Sequence, residues 1–148
     1  GTNMQYIHYG DDDFDINKFI PISNRSEATK PFGGFWGSRK NADFSWKEWC
    51  TEIDLKSKDL TKKIQFSLSN GAKILVINNI KLLDKLPQNE ENHIVNKLFV
   101  TLDFEKLSKQ YDAIEVLISE DERLYELLYG WDCDSILVMN PNVIITEN

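Results

Sequence analysis

The sequence predicts an α+β fold, on three observations. Short segments rich in β-branched and aromatic residues recur along the chain with few helices between them. Lys63-Ile-Gln-Phe-Ser-Leu-Ser69 alternates apolar and polar residues at period two, as a half-buried strand requires. Two capping boxes, Ser45-Trp-Lys-Glu48 and Ser119-Glu-Asp-Glu122, mark the starts of helices that do not alternate one for one with the strands. That pattern favours α+β over a doubly wound sheet.

In chain order, Met4–Tyr9 is aromatic and β-branched and reads as a first strand closed by Gly10. A short helical turn follows around Asp15–Phe19 before Pro21. Lys30–Ser38 interleaves Phe32, Phe35 and Trp36 with three glycines, which predicts a short second strand in close contact with something else. The capping box at Ser45 opens a helix to about Asp54, with Trp46, Trp49, Cys50 and Ile53 on one stripe. Lys63–Ser69 and Ala72–Ile77 flank Asn70-Gly71, the signal of a hairpin with a type I′ turn. Ile80–Leu86 is a short amphipathic stretch stopped by Pro87, and Asp103–Gln110 a helix. Tyr111–Ile118 is a strand, and the helix opened at Ser119 ends at Gly130. Ser135–Met139 and Val143–Ile145 are strands around the turn Asn140-Pro-Asn142.

The length fits one domain with its own core, taken as residues 4–148, since 1–3 precede Met4 and read as an expression scar. Two cysteines give no disulfide framework, and two histidines give no zinc-ligand spacing, so no metal is expected. Apolar runs are too short for a membrane span, and the expected setting is cytoplasmic. Residues 1–74 carry 11 basic and 10 acidic side chains, whereas residues 75–148 carry 6 and 14. A net charge of −7 argues against indiscriminate nucleic-acid binding. Lys30, Arg39 and Lys40, around the glycine-aromatic segment, leave room for a small anionic ligand there.

The residues offer few candidates for chemistry. His8 is either a half-buried histidine with one backbone partner or a ligand-binding group held rigidly by its strand. The glycine-aromatic segment is either a tight packed bend or a floor for a planar ring. Glu115 shares a strand face with Ala113 and Leu117, and it faces either water or a cleft. Asp134, with Asp132, brackets Cys133 before a strand, a place that suits capping and catalysis alike. Cys50 reads as packing and Cys133 as an unactivated thiol. No nucleophile elbow, phosphate loop or dinucleotide fingerprint occurs.

The order of Tyr6-Ile-His-Tyr-Gly10, Gly34-Phe-Trp-Gly-Ser38, Ile64–Ile77 and Asp134-Ser-Ile-Leu-Val-Met-Asn-Pro141 resembles the ADP-ribosyltransferase superfamily, in a bacterial or phage-type branch. The resemblance covers most of the chain through short motifs. It implies a split, mostly antiparallel sheet with flanking helices and with NAD as substrate between its halves. His8 would bind a ribose hydroxyl, and the backbone of Tyr9 and Gly10 would hold the nicotinamide amide. Trp36 or a tyrosine would stack on the nicotinamide ring, and Ser38 would support the site. The implied reaction breaks the N-glycosidic bond through an oxocarbenium-like cation, stabilised by an acidic residue, and transfers ADP-ribose to a protein or nucleic-acid acceptor.

The sequence departs from that pattern where the acid should stand. Alignment on Asn140-Pro141 puts Ser135 at the glutamate position and Asp134 one residue earlier, and one residue flips the face of a strand. Either Asp134 is turned inward, or Glu115 supplies the carboxylate, or the chain is inactive. The rival expectation is therefore a non-catalytic relative that binds a protein partner through the Phe32–Trp36 surface and its acidic half. A small hydrolase using Glu115 and Asp134 as a pair is a third.

Overall fold

The computed structural model describes residues 4–9, 14–24, 31–40, 62–89, 100–128, 131 and 133–146. The expected helix at 45–54, Gly10, Lys30, Cys50, Gly130 and Asp132 lie outside the described residues. The fold is α+β, built on one sheet of seven mostly antiparallel strands. These are β1 (Tyr6–Tyr9), β2 (Phe35–Arg39), β3 (Lys63–Leu68), β4 (Ile74–Ile77), β5 (Ala113–Val116), β6 (Ser135–Val138) and β7 (Ile144–Thr146). Their spatial order is β4-β5-β6-β2-β1-β3-β7, and only β4 and β5 run parallel.

Two helices are present among the described residues, α1 (Phe104–Leu107) and α2 (Glu122–Leu127). Asp103 caps α1 by accepting from the Lys106 amide, which satisfies an orphan N–H of the first turn. The second capping box is displaced. Ser119 lies inside a 3-10 turn, Ile118–Glu120, and Asp121 caps α2 through the Arg123 amide. Ser119 is drawn from that capping role because its N–H and hydroxyl both donate to Asp134.

Strand periodicity places one apolar set on each face of the sheet. On one face, Ile77, Ile114, Val116 and Leu137 pack with Leu102, Phe104, Leu107, Leu124 and Trp131 from the helical side. On the other, Tyr6, Phe66 and Leu68 meet Ala113, Ile136, Val138 and Val143. Ile74 of the edge strand β4 also packs on this second cluster. Strands from opposite ends of the order thus share one core, which requires the sheet to curl around that inner face.

The Asn70-Gly71 hairpin is not formed. Residues 69–72 do turn, with the Ala72 amide donating to Ser69 O at 3.0 Å. However, β3 pairs with β1 on one side and β7 on the other, and β4 pairs with β5. With both edges of β3 occupied, no ladder position remains for β4. Nor does Gly71 take the positive φ of a type I′ turn, which among the described glycines is confined to Gly33 and Gly34.

Candidate functional site

Strand β2 changes partner halfway along. Phe35, Trp36 and Gly37 pair with Val138, Leu137 and Ile136 of β6, whereas Ser38 and Arg39 pair with Ile7 and Tyr6 of β1. Beyond Ile7, the strand partner of β1 among the described residues is β3, where His8 faces Ile64 and Tyr9 faces Lys63. The sheet is therefore split at the His8 end of β1. At the split, His8 Nδ1 lies 2.6 Å from the Trp36 carbonyl oxygen. A carbonyl only accepts, so Nδ1 carries the proton and donates it. The imidazole stacks on Phe35, with ring centroids 4.3 Å apart and planes at 20°. Phe14 meets the same phenyl ring edge-on at 4.9 Å.

These rings border a hollow of about 390 Å³, lined by His8, Phe14, Asp15, Lys18, Phe19, Ile20, Gly33, Gly34 and Phe35. Its outer wall is the strap 14–24, which contains a 3-10 turn, Ile16–Lys18, capped by the Asp15 carboxylate on the Asn17 amide. The strap crosses the chain ahead of β2 at very short range. A Cβ on Gly33 would stand 2.4 Å from both Ile20 O and Pro21 O, and Gly33 holds φ +78°. Only glycine meets both demands. The Gly34 amide donates to Ile20 O at 2.9 Å, and Ser23 and Phe32 form a two-way bridge.

The other candidate residues lie elsewhere. Alternation along β2 sends Phe35 and Arg39 to the inner face and Trp36 and Ser38 to the helical face. Trp36 packs on Trp131 at 4.9 Å, and the Ser38 hydroxyl donates to the Asp134 backbone carbonyl at 2.7 Å. The indole of Trp36 thus lies across the sheet from the His8 ring. Asp134 is buried, and its carboxylate accepts from the Ser119 amide at 2.8 Å and the Ser119 hydroxyl at 2.5 Å. Cys133 is buried too, with its sulfur 3.4 Å from the Ser135 hydroxyl.

Glu115 points to the inner face and is 2% exposed. Both of its oxygens are engaged by Arg39, with Nε at 2.8 Å and Nη2 at 2.7 Å, the bidentate geometry that suits a guanidinium. That hydrogen bond holds the Arg39 proton more tightly, against the opposing effect of burial. Burial pushes the nearby Tyr6 phenol up to about 12; the Glu115 charge adds to the rise and Arg39 opposes it. Arg39 stands four residues along β2 from Phe35, which at strand rise is about 13 Å. His8, Glu115 and Asp134 therefore do not meet at one place.

Sequence reasoning missed the lining of the hollow. The Asp15–Phe19 turn and the Gly33-Gly34 pair were each legible locally, but nothing in the spacing joins them. Among the described residues, no group of three or more His, Cys, Asp or Glu side chains is arranged to hold a metal. Nor is any described helix long and apolar enough to cross a membrane. Comparison with protein-family models, with curated proteins and with solved structures finds no match.

Proposed function

We propose that this chain is an ADP-ribosyltransferase-like protein that binds NAD in the hollow beside His8. The observation that carries the reading is the split between β1 and β2, with His8 donating across it to Trp36 O and lining the hollow. A split, mostly antiparallel sheet with a histidine at the opening is what the motif resemblance implies. The hollow suits part of a nucleotide. Phe14, Phe35 and the imidazole give a planar ring apolar surface, and Lys18 places a cation at the rim for a phosphate. Its volume lies toward the lower end of small-molecule sites, so it takes part of the dinucleotide and leaves the remainder at the surface.

A second observation favours binding without transfer. Cleavage of the glycosidic bond calls for a carboxylate close to the ribosyl cation. Glu115 is paired with Arg39 at the far end of β2, and Asp134 is spent on Ser119 behind the sheet. Asp15 is the carboxylate that lines the hollow among the described residues. In this reading the chain is a relative that has kept the nucleotide hollow and acts through a protein partner.

Titration calorimetry of the full chain with NAD, followed by an assay of nicotinamide release, tests both statements. The expected result is one NAD bound per chain, weakened in His8→Ala and Lys18→Ala, with no nicotinamide released. Release that survives Glu115→Gln but disappears in Asp15→Asn would show cleavage of the glycosidic bond with Asp15 as the acid, and ADP-ribose found on an acceptor in place of water would make it a transferase. Absence of NAD binding in the wild type rejects the reading.

A further inference from the structure

We infer that Asn24 is a positioning residue for the hollow: it fastens the strap that forms the outer wall to the first turn of α1. The inference rests on the hollow being the binding site. The strap contributes Phe14, Asp15, Lys18, Phe19 and Ile20 to the lining. It leaves the hollow through Pro21 and Ile22, bridges Phe32 at Ser23, and reaches α1 at Asn24.

There one residue makes four hydrogen bonds across about 80 positions of sequence. Asn24 Oδ1 accepts from the Phe104 amide at 2.8 Å and the Glu105 amide at 3.2 Å. Its Nδ2 donates to Asp103 Oδ1 at 2.9 Å, and its backbone N–H donates to Glu105 Oε2 at 2.9 Å. The anchor on the other side is firm, because Phe104 and Leu107 are buried in the main core beside Trp131. The strap's apolar anchorage lies at its two ends, Phe14 on Phe35 and Ile22 on the main core, and its middle has little. Ile16 and Ile20 are 48% and 63% exposed, and the 3-10 turn buries no residue. The polar contacts at Asn24 add to these anchors in holding the exposed middle of the wall in place. The amide side chain suits this place because its oxygen accepts from two N–H groups while its nitrogen donates to a carboxylate.

This chemistry allows a rescue. Asn24→Asp alone loses the donor and sets a carboxylate against Asp103. Combined with Asp103→Asn, the bond between the two side chains reverses: residue 24 still accepts from both amides, and the new amide at 103 donates to it, giving up the cap on Lys106 because one Asp103 oxygen, Oδ1, serves both partners. Formal charge is unchanged.

The experiment has two readouts, NAD affinity by calorimetry and backbone hydrogen exchange of the full chain. In Asn24→Ala, NAD binding is expected to weaken about tenfold, the ratio that corresponds to a lost cap. The Lys18, Phe19 and Gly34 amides, which close the wall through Asp15 O, Ile16 O and Ile20 O, are expected to exchange faster, while β5 and β6 keep their protection. The double exchange Asn24→Asp with Asp103→Asn should recover both from the level of Asn24→Asp alone, short of the wild type by the lost Lys106 cap. Wild-type affinity in Asn24→Ala overturns the inference, as does loss of protection spread evenly over the sheet. If the wild type binds no NAD, the proposed function fails, and the exchange data alone decide whether Asn24 holds the wall.

Discussion

The two ends of β2 make opposite use of the same strand. At the Arg39 end the buried carboxylate has its cation: Glu115 is held by a bidentate guanidinium, and Tyr6 packs beside them on Phe66 at 5.5 Å. At the Phe35 end the strand leaves β1, and its rings border a hollow bounded on the outside by a strap whose Ile16 and Ile20 face solvent. A carboxylate at the first end has its partner within the chain. Among the described residues, the hollow at the second end gives a ligand room. In this molecule the acidic residues that look most like catalysts in the sequence are the ones already used to hold the fold.

The hardest test of that division is Arg39→Ala. It leaves the Glu115 carboxylate buried without its cation, and breaking such a pair from one side costs about 3–5 kcal/mol. Denaturant unfolding measures the loss. Glu115→Ala should cost less, because Arg39 is about one-third exposed and regains water when freed. If the two ends are independent, the folded fraction of Arg39→Ala binds NAD as the wild type does. Loss of binding at intact fold would join the ends and break the comparison.

Gly33→Ala probes the open end. The added methyl would press on Ile20 O and Pro21 O from a left-handed backbone, so the strap must shift. Overpacking of this kind costs about 1–3 kcal/mol. Here the larger consequence should be functional, with NAD binding lost while the Arg39 end keeps its protection in hydrogen exchange. An unchanged affinity would mean that the wall does not shape the site.

Legibility in the sequence followed the same line between local and distant causes. The strands are readable from alternation and β-branched runs, and alternation alone gives the faces of β5, with Glu115 on the side of Ala113 and opposite Ile114. Its burial was not readable, because the side chain that makes it tolerable is 76 residues away. Asn70-Gly71 gave the turn but not the pairing, since a turn fixes its own residues while ladder partners are chosen by whichever edges are open. Ser119-Glu-Asp-Glu122 marked the helix start, and the long-range demand of Asp134 moved the cap to Asp121. The hollow depends on three segments meeting, 8, 14–20 and 33–35, and no single one of them carries its signal.

The smallest expected effect lies at the closed end and is confined to alkaline solution. The Tyr6 phenol is raised from 10.0 to about 12 in the folded chain, so the folded state keeps a proton that the unfolded state releases. By linkage, stability from this group is complete below pH 10 and is lost as pH rises through about 12. Tyr6→Phe should flatten the fall in stability across that window and leave the neutral-pH value nearly unchanged, as unfolding at a series of pH values would show. Arg39→Ala should push the same phenol further up, because it removes the one charge that favours phenolate and leaves the Glu115 charge that opposes it. An alkaline limb that ignores both substitutions would mean that Tyr6 and the ion pair do not sense each other, and the closed end would then be two separate packing sites in place of one electrostatic unit.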